Sequence, residues 1–242
     1  MFAYGPIAQP PGYHAFADAR SMLGVPNFCN VSSNAAFLLA GLAGLVILAR
    51  GRVPGVLPQL RWVYCVLCVA TILVGIGSAH YHLRPDNASL VWDRAPMAVA
   101  FSAFFAIVIG EHIGWRWGTR LVGPLAAIGL ATVWYWQFTE KLGRGDLRWY
   151  VLVQALPLVL SPLILVLFPG DRERDRLVWP VLAGYVLAKV FEILDWPIMD
   201  WTGVVSGHSL KHIAAACAIC FLIVAMRRPL GDLSAQPAAE NQ

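Results

Sequence analysis

Five polar side chains in this chain are of types that bind metal ions or carry out acid–base chemistry, and each lies within or beside a long apolar stretch. They are Ser78, His82, Asp93, His208 and His212. Ionisable and metal-binding groups are costly in the hydrocarbon of a membrane, so those found there are by default candidates for a functional site. The spacing supports this interpretation, because Ser78 and His82 are four residues apart, as are His208 and His212, and such pairs share one helix face.

The composition of the chain predicts an integral membrane protein. Its 242 residues are 58% hydrophobic and 13% charged, whereas soluble proteins carry about 25% charged residues. Seven apolar stretches reach or approach the length of about 20 residues that a helix needs to cross a bilayer. They cover residues 33–49, 62–82, 93–113, 120–138, 149–169, 177–195 and 208–226. Unpaired backbone groups cannot face lipid, so we predict an all-α fold, an integral membrane bundle of seven transmembrane helices.

Domain organisation and orientation follow from these stretches and from the positions of arginine. We expect residues 1–226 to form a single transmembrane domain with segment 1–32 outside, and residues 227–242 to form a disordered cytoplasmic tail. Positive charge favours the cytoplasmic side of a membrane, and arginines gather in alternate loops, at Arg50, Arg52, Arg61, Arg116, Arg120, Arg172, Arg174, Arg176, Arg227 and Arg228. This bias predicts an outside N-terminus and explains the net charge of +4, which therefore does not indicate nucleic-acid binding.

The number of membrane crossings determines which polar residues can meet. In a seven-helix bundle, the end of the second helix and the starts of the third and seventh helices lie on one face of the membrane. The five polar residues are therefore expected at one depth. Three histidines from two helices can then converge on one point.

Three neutral imidazoles with one open position form the ligand set of a catalytic zinc ion, which activates a water molecule near neutral pH. We therefore expect His82, His208 and His212 to bind zinc. Asp93 would move a proton between water and a leaving amine, and Ser78 would donate a hydrogen bond to a developing oxyanion. These roles predict hydrolysis of an amide or an ester.

Each of these residues also has a structural interpretation. Histidine pairs four residues apart occur on helices by chance or for packing, and Ser78 is a small residue that lets helices approach. Asp93 can instead be paired with Arg84 or Arg94 at the membrane surface. The metal interpretation is favoured because all the polar residues are expected at the same depth.

Further charged residues lie in the sixth and seventh stretches. Glu192 and Asp195 are expected near the metal, where a carboxylate can accept the second N–H of a histidine ligand. The alternative is an ion pair between Lys189 and Glu192 that braces the bundle. Lys211 lies between two metal ligands in sequence and so on another face of the helix, which predicts a side chain that reaches outward to lipid head groups.

Four segments around these residues carry a resemblance to a known family. They are Asn27-Phe28-Cys29-Asn30-Val31-Ser32-Ser33-Asn34, Gly77-Ser78-Ala79-His80-Tyr81-His82, Asp93-Arg94-Ala95-Pro96-Met97 and Gly207-His208-Ser209-Leu210-Lys211-His212. They resemble the alkaline ceramidases, within the membrane-hydrolase superfamily that includes progestin and adiponectin receptors. The resemblance implies a zinc-dependent intramembrane hydrolase that cleaves the amide bond of a lipid such as ceramide. It implies a lipid substrate and the bilayer as partners and leaves the oligomeric state open.

The segment before the first helix departs from the pattern of that family. Animal alkaline ceramidases bind calcium through several acids there, whereas this chain has Asn27 at the last of those positions and only Asp18 as an acid. Calcium regulation is therefore doubtful, and the nearer resemblance is to a bacterial branch, which implies a bacterial inner membrane. Two other classes of function stay open: a receptor-like or regulatory protein with a structural zinc, and a haem-binding or transport protein that uses the same histidines.

Overall fold

Helices form nearly all the regular structure of the chain. The computed structural model describes residues 5–51, 53–169 and 172–228, and no β-strand occurs in these ranges. The helices are α1 (Phe28–Ser32), α2 (Ala35–Ala49), α3 (Arg61–Leu83), α4 (Leu90–His112), α5 (Trp115–Lys141), α6 (Arg148–Leu167), α7 (Arg172–Ile193), α8 (Asp195–Thr202) and α9 (Gly207–Ala225). The predicted tail lies outside the described residues from position 229 onward, as do Arg52 and the side chains of Arg172, Arg174 and Arg176.

Six helical segments in the described part of the chain are long and apolar enough to cross a membrane. They are Phe28–Ala49, Pro58–Leu83, Leu90–His112, Trp115–Lys141, Arg148–Leu167 and Gly207–Ala225. The prediction of an all-α integral membrane fold is confirmed to this extent. The remaining predicted span, 177–195, falls in α7 as far as Ile193, and Asp195 begins α8. Helix α7 has 22 residues but is less apolar than the six because charged residues lie near both of its ends.

Large apolar side chains on the outer faces of these helices are about half exposed or more. They include Leu39, Leu42, Leu73, Ile76, Ile128, Val159, Leu163 and Val166. A soluble protein rarely exposes so much apolar surface. Such a surface is stable when the acyl chains of a bilayer cover it, so the exposed side chains support the membrane fold independently of helix length.

A close backbone contact between α3 and α4 determines how these two helices cross. A β-carbon on Gly77 would lie only 2.0 Å from the carbonyl oxygen of Trp92. Pro96 lies inside α4 four residues later and has no N–H, so that carbonyl lacks its usual helical donor. The missing side chain of Gly77 therefore lets α3 cover this carbonyl, and it brings Ser78 next to Asp93.

We expect Gly77→Ala to lower the thermal stability of the protein in detergent micelles, because the added methyl group overlaps the α4 backbone. Overpacking of this kind costs about 1–3 kcal/mol. Gly123→Ala in α5 is the matched control, since a β-carbon there would contact nothing within 4 Å, and alanine is intrinsically favoured over glycine in a helix by about 0.5–1 kcal/mol. Equal melting temperatures for the two variants would contradict the close contact.

The segment before α1 lies across the end of the bundle where α3 finishes and α9 begins. The backbone N–H of Leu147 donates to the carbonyl of Ile7 over 2.8 Å. Further along the segment, the backbone N–H of Ala17 donates to the Asp195 carboxylate over 2.9 Å. The amino-terminal segment, from residue 5 onward, therefore forms a fixed cover over one end of the helices.

Candidate metal centre

Three buried histidines converge where α3 ends and α9 begins. His82 is on α3, and His208 and His212 are on α9, and one nitrogen from each ring lies within 4.8 Å of the others. The ring centroids are 4.9 Å apart for His82 and His208, 5.0 Å for His82 and His212, and 4.9 Å for His208 and His212. The predicted convergence of three histidines from two helices is therefore confirmed.

The distances between the imidazole nitrogens fit a shared metal ion. The Nε2 atoms of His82 and His208 are 3.3 Å apart. Zinc–imidazole bonds of about 2.0–2.1 Å in tetrahedral geometry separate two ligand nitrogens by about 3.3–3.4 Å. Two lone pairs that face each other repel unless a proton or a cation lies between them. Three neutral nitrogen ligands thus suit a metal such as zinc, whereas magnesium and calcium prefer oxygen ligands.

The first turn of α9 is fixed on both sides of His208. The hydroxyl of Ser206, the residue that caps α9, accepts a hydrogen bond from the backbone N–H of Ser209 over 3.2 Å. The carboxylate of Asp195 accepts the backbone N–H of His208 over 2.7 Å. These bonds satisfy N–H groups that a helix start leaves without partners. Asp195 therefore positions His208 through the backbone, whereas the sequence predicted a contact with an imidazole N–H.

His212 is oriented by Ser33, a residue that was not among the predicted site residues. Its Nδ1 lies 2.8 Å from the hydroxyl oxygen of Ser33, and that hydroxyl donates to the backbone carbonyl of Asn30 over 3.1 Å. A serine hydroxyl carries one proton, so Ser33 must accept the Nδ1–H of His212. The Nε2 of His212 then keeps its lone pair for a metal, which is the arrangement that outer hydrogen bonds impose on histidine ligands.

We expect Ser33→Ala to weaken zinc binding by about 10- to 100-fold, because loss of such an outer hydrogen bond frees the ring and its tautomer. Zinc affinity would be measured by competition with a chromogenic chelator. Ser32→Ala is the control, since the Ser32 hydroxyl is exposed and bonds only the carbonyl of Cys29 within the described residues. Equal affinities in the two variants would remove Ser33 from the site.

Phe16 covers the histidines on the side of the amino-terminal segment. Its ring centroid lies 4.7 Å from that of His82 and 4.5 Å from that of His208, and its side chain is buried. A ring in this position keeps water away from the imidazoles of His82 and His208. No spacing or motif in the sequence links Phe16 to the histidines, so only the folded structure reveals this contact.

An elongated cavity of about 250 Å³ begins beside the histidines. Its polar end includes Ser78, Asp93 and His212, and the close crossing of α3 and α4 at Gly77 places Ser78 beside Asp93. Its deeper walls are mostly apolar and include Val74, Met97, Phe101, Phe104, Leu158, Leu182 and Ile219. Since a helix rises about 1.5 Å per residue, Ile219 lies about 10 Å further along α9 than His212. The cavity therefore has reactive groups at one end and room for an apolar chain beyond them.

Lys211 points into the cavity, so the prediction that it reaches outward to lipid head groups is wrong. Its ammonium donates to the Glu192 carboxylate over 2.9 Å, and Lys189 contacts the same carboxylate. The physical reason is that α7 packs along α9 and presents a carboxylate where Lys211 can reach it. Glu192 thus joins α7 to α9 as an ion pair, which was the alternative to a contact with a histidine ligand.

Asp18, the acid before the first helix, is already paired with a cation. Arg20 donates from Nε to one carboxylate oxygen over 2.8 Å and from Nη2 to the other over 2.7 Å. This hydrogen-bonded guanidinium holds the pKa of the Asp18 carboxyl below its ordinary value. A calcium site would need free carboxylate oxygens, and both oxygens of Asp18 are bound by the chain itself.

The chain matches no protein-family model, and no curated protein matches its sequence. The kind of site is therefore inferred from the geometry of its residues alone. Three imidazole nitrogens fit one divalent ion, a carboxylate and a hydroxyl lie together near them, and an apolar cavity extends into the bundle. These features describe a membrane protein with a candidate metal centre.

Proposed function

We propose that this protein is a zinc-dependent intramembrane hydrolase that cleaves the amide bond of a lipid such as ceramide. The observation that carries the proposal is that His212 belongs both to the three-histidine cluster and to the wall of the elongated cavity. Ser78 and Asp93 line the same polar end. A lipid can therefore lie with its acyl chain along the apolar walls and its amide group beside the metal ligands.

The proposed reaction assigns one task to each polar residue. Zinc, when bound, supplies Lewis-acid polarisation and water activation. Asp93 accepts a proton from the attacking water and delivers it to the leaving amine. Ser78, which lines the cavity together with Asp93, donates a hydrogen bond to the carbonyl oxygen as negative charge develops there. Phe16 limits the access of bulk water from the side of the amino-terminal segment.

We further propose that α7 is the seventh crossing and that the histidine end of the bundle is extracytoplasmic. His112 at the end of α4 bonds the carbonyl of Phe168 after α6, over 3.0 Å. Both lie at the opposite end from the histidine cluster, so a crossing by α7 would return the chain to the start of α9. Glu192 is paired with Lys189 and Lys211, and this pairing lowers the free-energy cost of placing these charges in a membrane. The alternate arginine-rich loops favour an outside N-terminus and a cytoplasmic C-terminus, and the resemblance favours a bacterial inner membrane.

The decisive experiment measures fatty-acid release from a panel of lipids by the purified protein. We expect release from lipids that contain an amide bond, loss of release after chelation, and recovery when zinc is added back. Tight zinc binding with no turnover of any lipid would overturn the proposal and favour a receptor-like protein with a structural zinc. A haem-binding protein would be recognised by its visible absorption, since zinc is colourless.

A further inference from the structure

A second polar cluster, which the proposed reaction does not use, surrounds Arg94 beside the cavity. Arg94 is only 5% exposed and lines the cavity. Its guanidinium lies over the rings of Trp136, Tyr150 and Tyr13, at 4.2, 5.0 and 5.4 Å from their centroids. Its Nη2 donates to the side-chain oxygen of Gln9 over 2.7 Å. Within the described part of the chain, no carboxylate forms an ion pair with Arg94.

Three N–H donors in this cluster are buried and have no acceptor among the described residues. They are Nη1 of Arg94, Nε2 of Gln9 and Nε1 of Trp136. More than about 90% of buried polar groups in proteins are hydrogen-bonded, so three such donors around one guanidinium need an explanation. All three groups donate and none accepts. Such donors fit acceptor oxygens and do not fit a cation, and of the three residues Arg94 is the one that lines the cavity.

The charges of the cavity wall lead to the same conclusion. Its described ionisable groups include two carboxylates, Asp93 and Glu192, and three cations, Lys189, Lys211 and Arg94. Both lysines contact Glu192, which leaves Arg94 without a contacting counter-charge. Cation–π contacts stabilise a buried guanidinium in part, but they leave its Nη1 without an acceptor. An anionic group would supply both the missing charge and the missing acceptors.

We propose that Arg94, whose guanidinium is held by Gln9 and Trp136, forms a subsite for a carboxylate or phosphate group of the lipid substrate. This inference rests on the proposed function and names its substrate class: N-acyl lipids with a negative charge on the amine side of the scissile amide. A guanidinium binds such groups through paired, charge-assisted hydrogen bonds. Arg94 follows Asp93 directly in α4, near the polar end of the cavity, while the apolar walls lie deeper. The head group therefore lies at Arg94 when the acyl chain fills the deeper part.

The test is equilibrium binding to the full-length, zinc-loaded protein in detergent, in an Asp93→Asn background that prevents turnover. Two matched pairs of ligands would be used: N-oleoylglycine against N-oleoylethanolamine, and ceramide 1-phosphate against ceramide. We expect the anionic member of at least one pair to bind about tenfold more tightly or better. The pair that shows the preference identifies the anion as a carboxylate or a phosphate.

Substitutions in the subsite should change the affinity for the anionic ligand and leave the affinity for the neutral ligand unchanged. Arg94→Gln should lower its affinity about tenfold and leave the neutral ligand unchanged. Trp136→Phe keeps an aromatic ring under the guanidinium but removes the N–H, so a smaller loss in the same direction is expected even if Arg94→Gln fails to fold. Arg84→Gln, an exposed arginine at the same end of the bundle, is the control and should change neither affinity.

The outcomes separate this inference from the proposed function. Equal binding of anionic and neutral ligands, or a preference that persists in both Arg94→Gln and Trp136→Phe, would overturn the subsite. If binding of the anionic ligand depends on Arg94 but the protein hydrolyses no lipid, the anion subsite stands and the proposed hydrolase activity is wrong. Turnover of both members of each pair with equal kcat/KM by the protein with Asp93 intact would retain the hydrolase and remove the subsite.

Discussion

Replacing any one of His82, His208 and His212 by alanine is expected to reduce the zinc content of the purified protein from about one ion per chain to near zero. Structural and catalytic zinc sites in proteins use at least three protein ligands, and each histidine supplies one of the three nitrogens in this cluster. With two ligands left, the ion is lost during purification in detergent. Elemental analysis of protein expressed in zinc-replete medium measures the effect, and hydrolysis should fall in parallel.

His80→Ala is the matched control for these variants. His80 lies on the same helix as His82, two residues earlier, but its side chain is exposed on another face of α3. It should retain the zinc content and the activity of the unmodified protein. Equal zinc in the control and in all three ligand variants would show that the cluster does not bind the ion, and the catalytic proposal would then have no basis.

Asp93→Asn is expected to lower kcat by about 100- to 10,000-fold while the zinc content stays unchanged. The amide has the size of the carboxylate but does not accept a proton at neutral pH, and general acid–base groups contribute about that factor to catalysis. Asp93 lines the cavity but is not one of the three clustered ligands. The measurement combines kcat for amide hydrolysis with elemental analysis of the same preparation.

Two comparisons make the result on Asp93 specific. Asp200→Asn replaces an exposed carboxylate on α8 and should leave kcat unchanged. Ser78→Ala should lower kcat by about 100-fold, the usual effect of losing one oxyanion donor. If Asp93→Asn lost zinc together with activity, Asp93 would have to be assigned as a metal ligand, and its role in proton transfer would be wrong.

The convergence of the three histidines was predictable because it depends on helix parity and helix periodicity. An even number of crossings between His82 and His208 places them at the same end, and four-residue spacing aligns His208 with His212. Neither argument needs the packing angles of the helices. The structure confirms the resulting convergence, since the three rings form one buried cluster.

Contacts that depend on the packing of loops and on helix packing angles were not predictable in this way. Ser33 reaches His212 from the break between α1 and α2, and Phe16 reaches His82 from the amino-terminal segment. Their positions depend on tertiary packing that no local pattern encodes. Lys211 was misplaced for a related reason, because a lone lysine on a membrane helix is expected to reach for the surface, and only the packing of α7 brings Glu192 within its range.

The count of crossings was the weakest part of the fold prediction for a physical reason. An apolar stretch indicates a crossing only when its charges are few, and α7 carries Lys189 and Glu192 near one end. These charges are neutralised by each other and by Lys211. Composition alone does not reveal such pairing. It therefore does not distinguish a membrane-spanning helix whose charges are paired from a helix that lies at the membrane surface.

The contact between Gly77 and the Trp92 carbonyl has a consequence for recognising distant homologues. Because this crossing depends on an absent side chain at Gly77 and on an absent N–H at Pro96, we expect homologues to vary less at these two positions than at the neighbouring apolar ones. A sequence profile built on hydrophobic identity would miss such homologues. A sequence profile that gives more weight to Gly77, Pro96 and the polar residues of the site should recover these distant homologues.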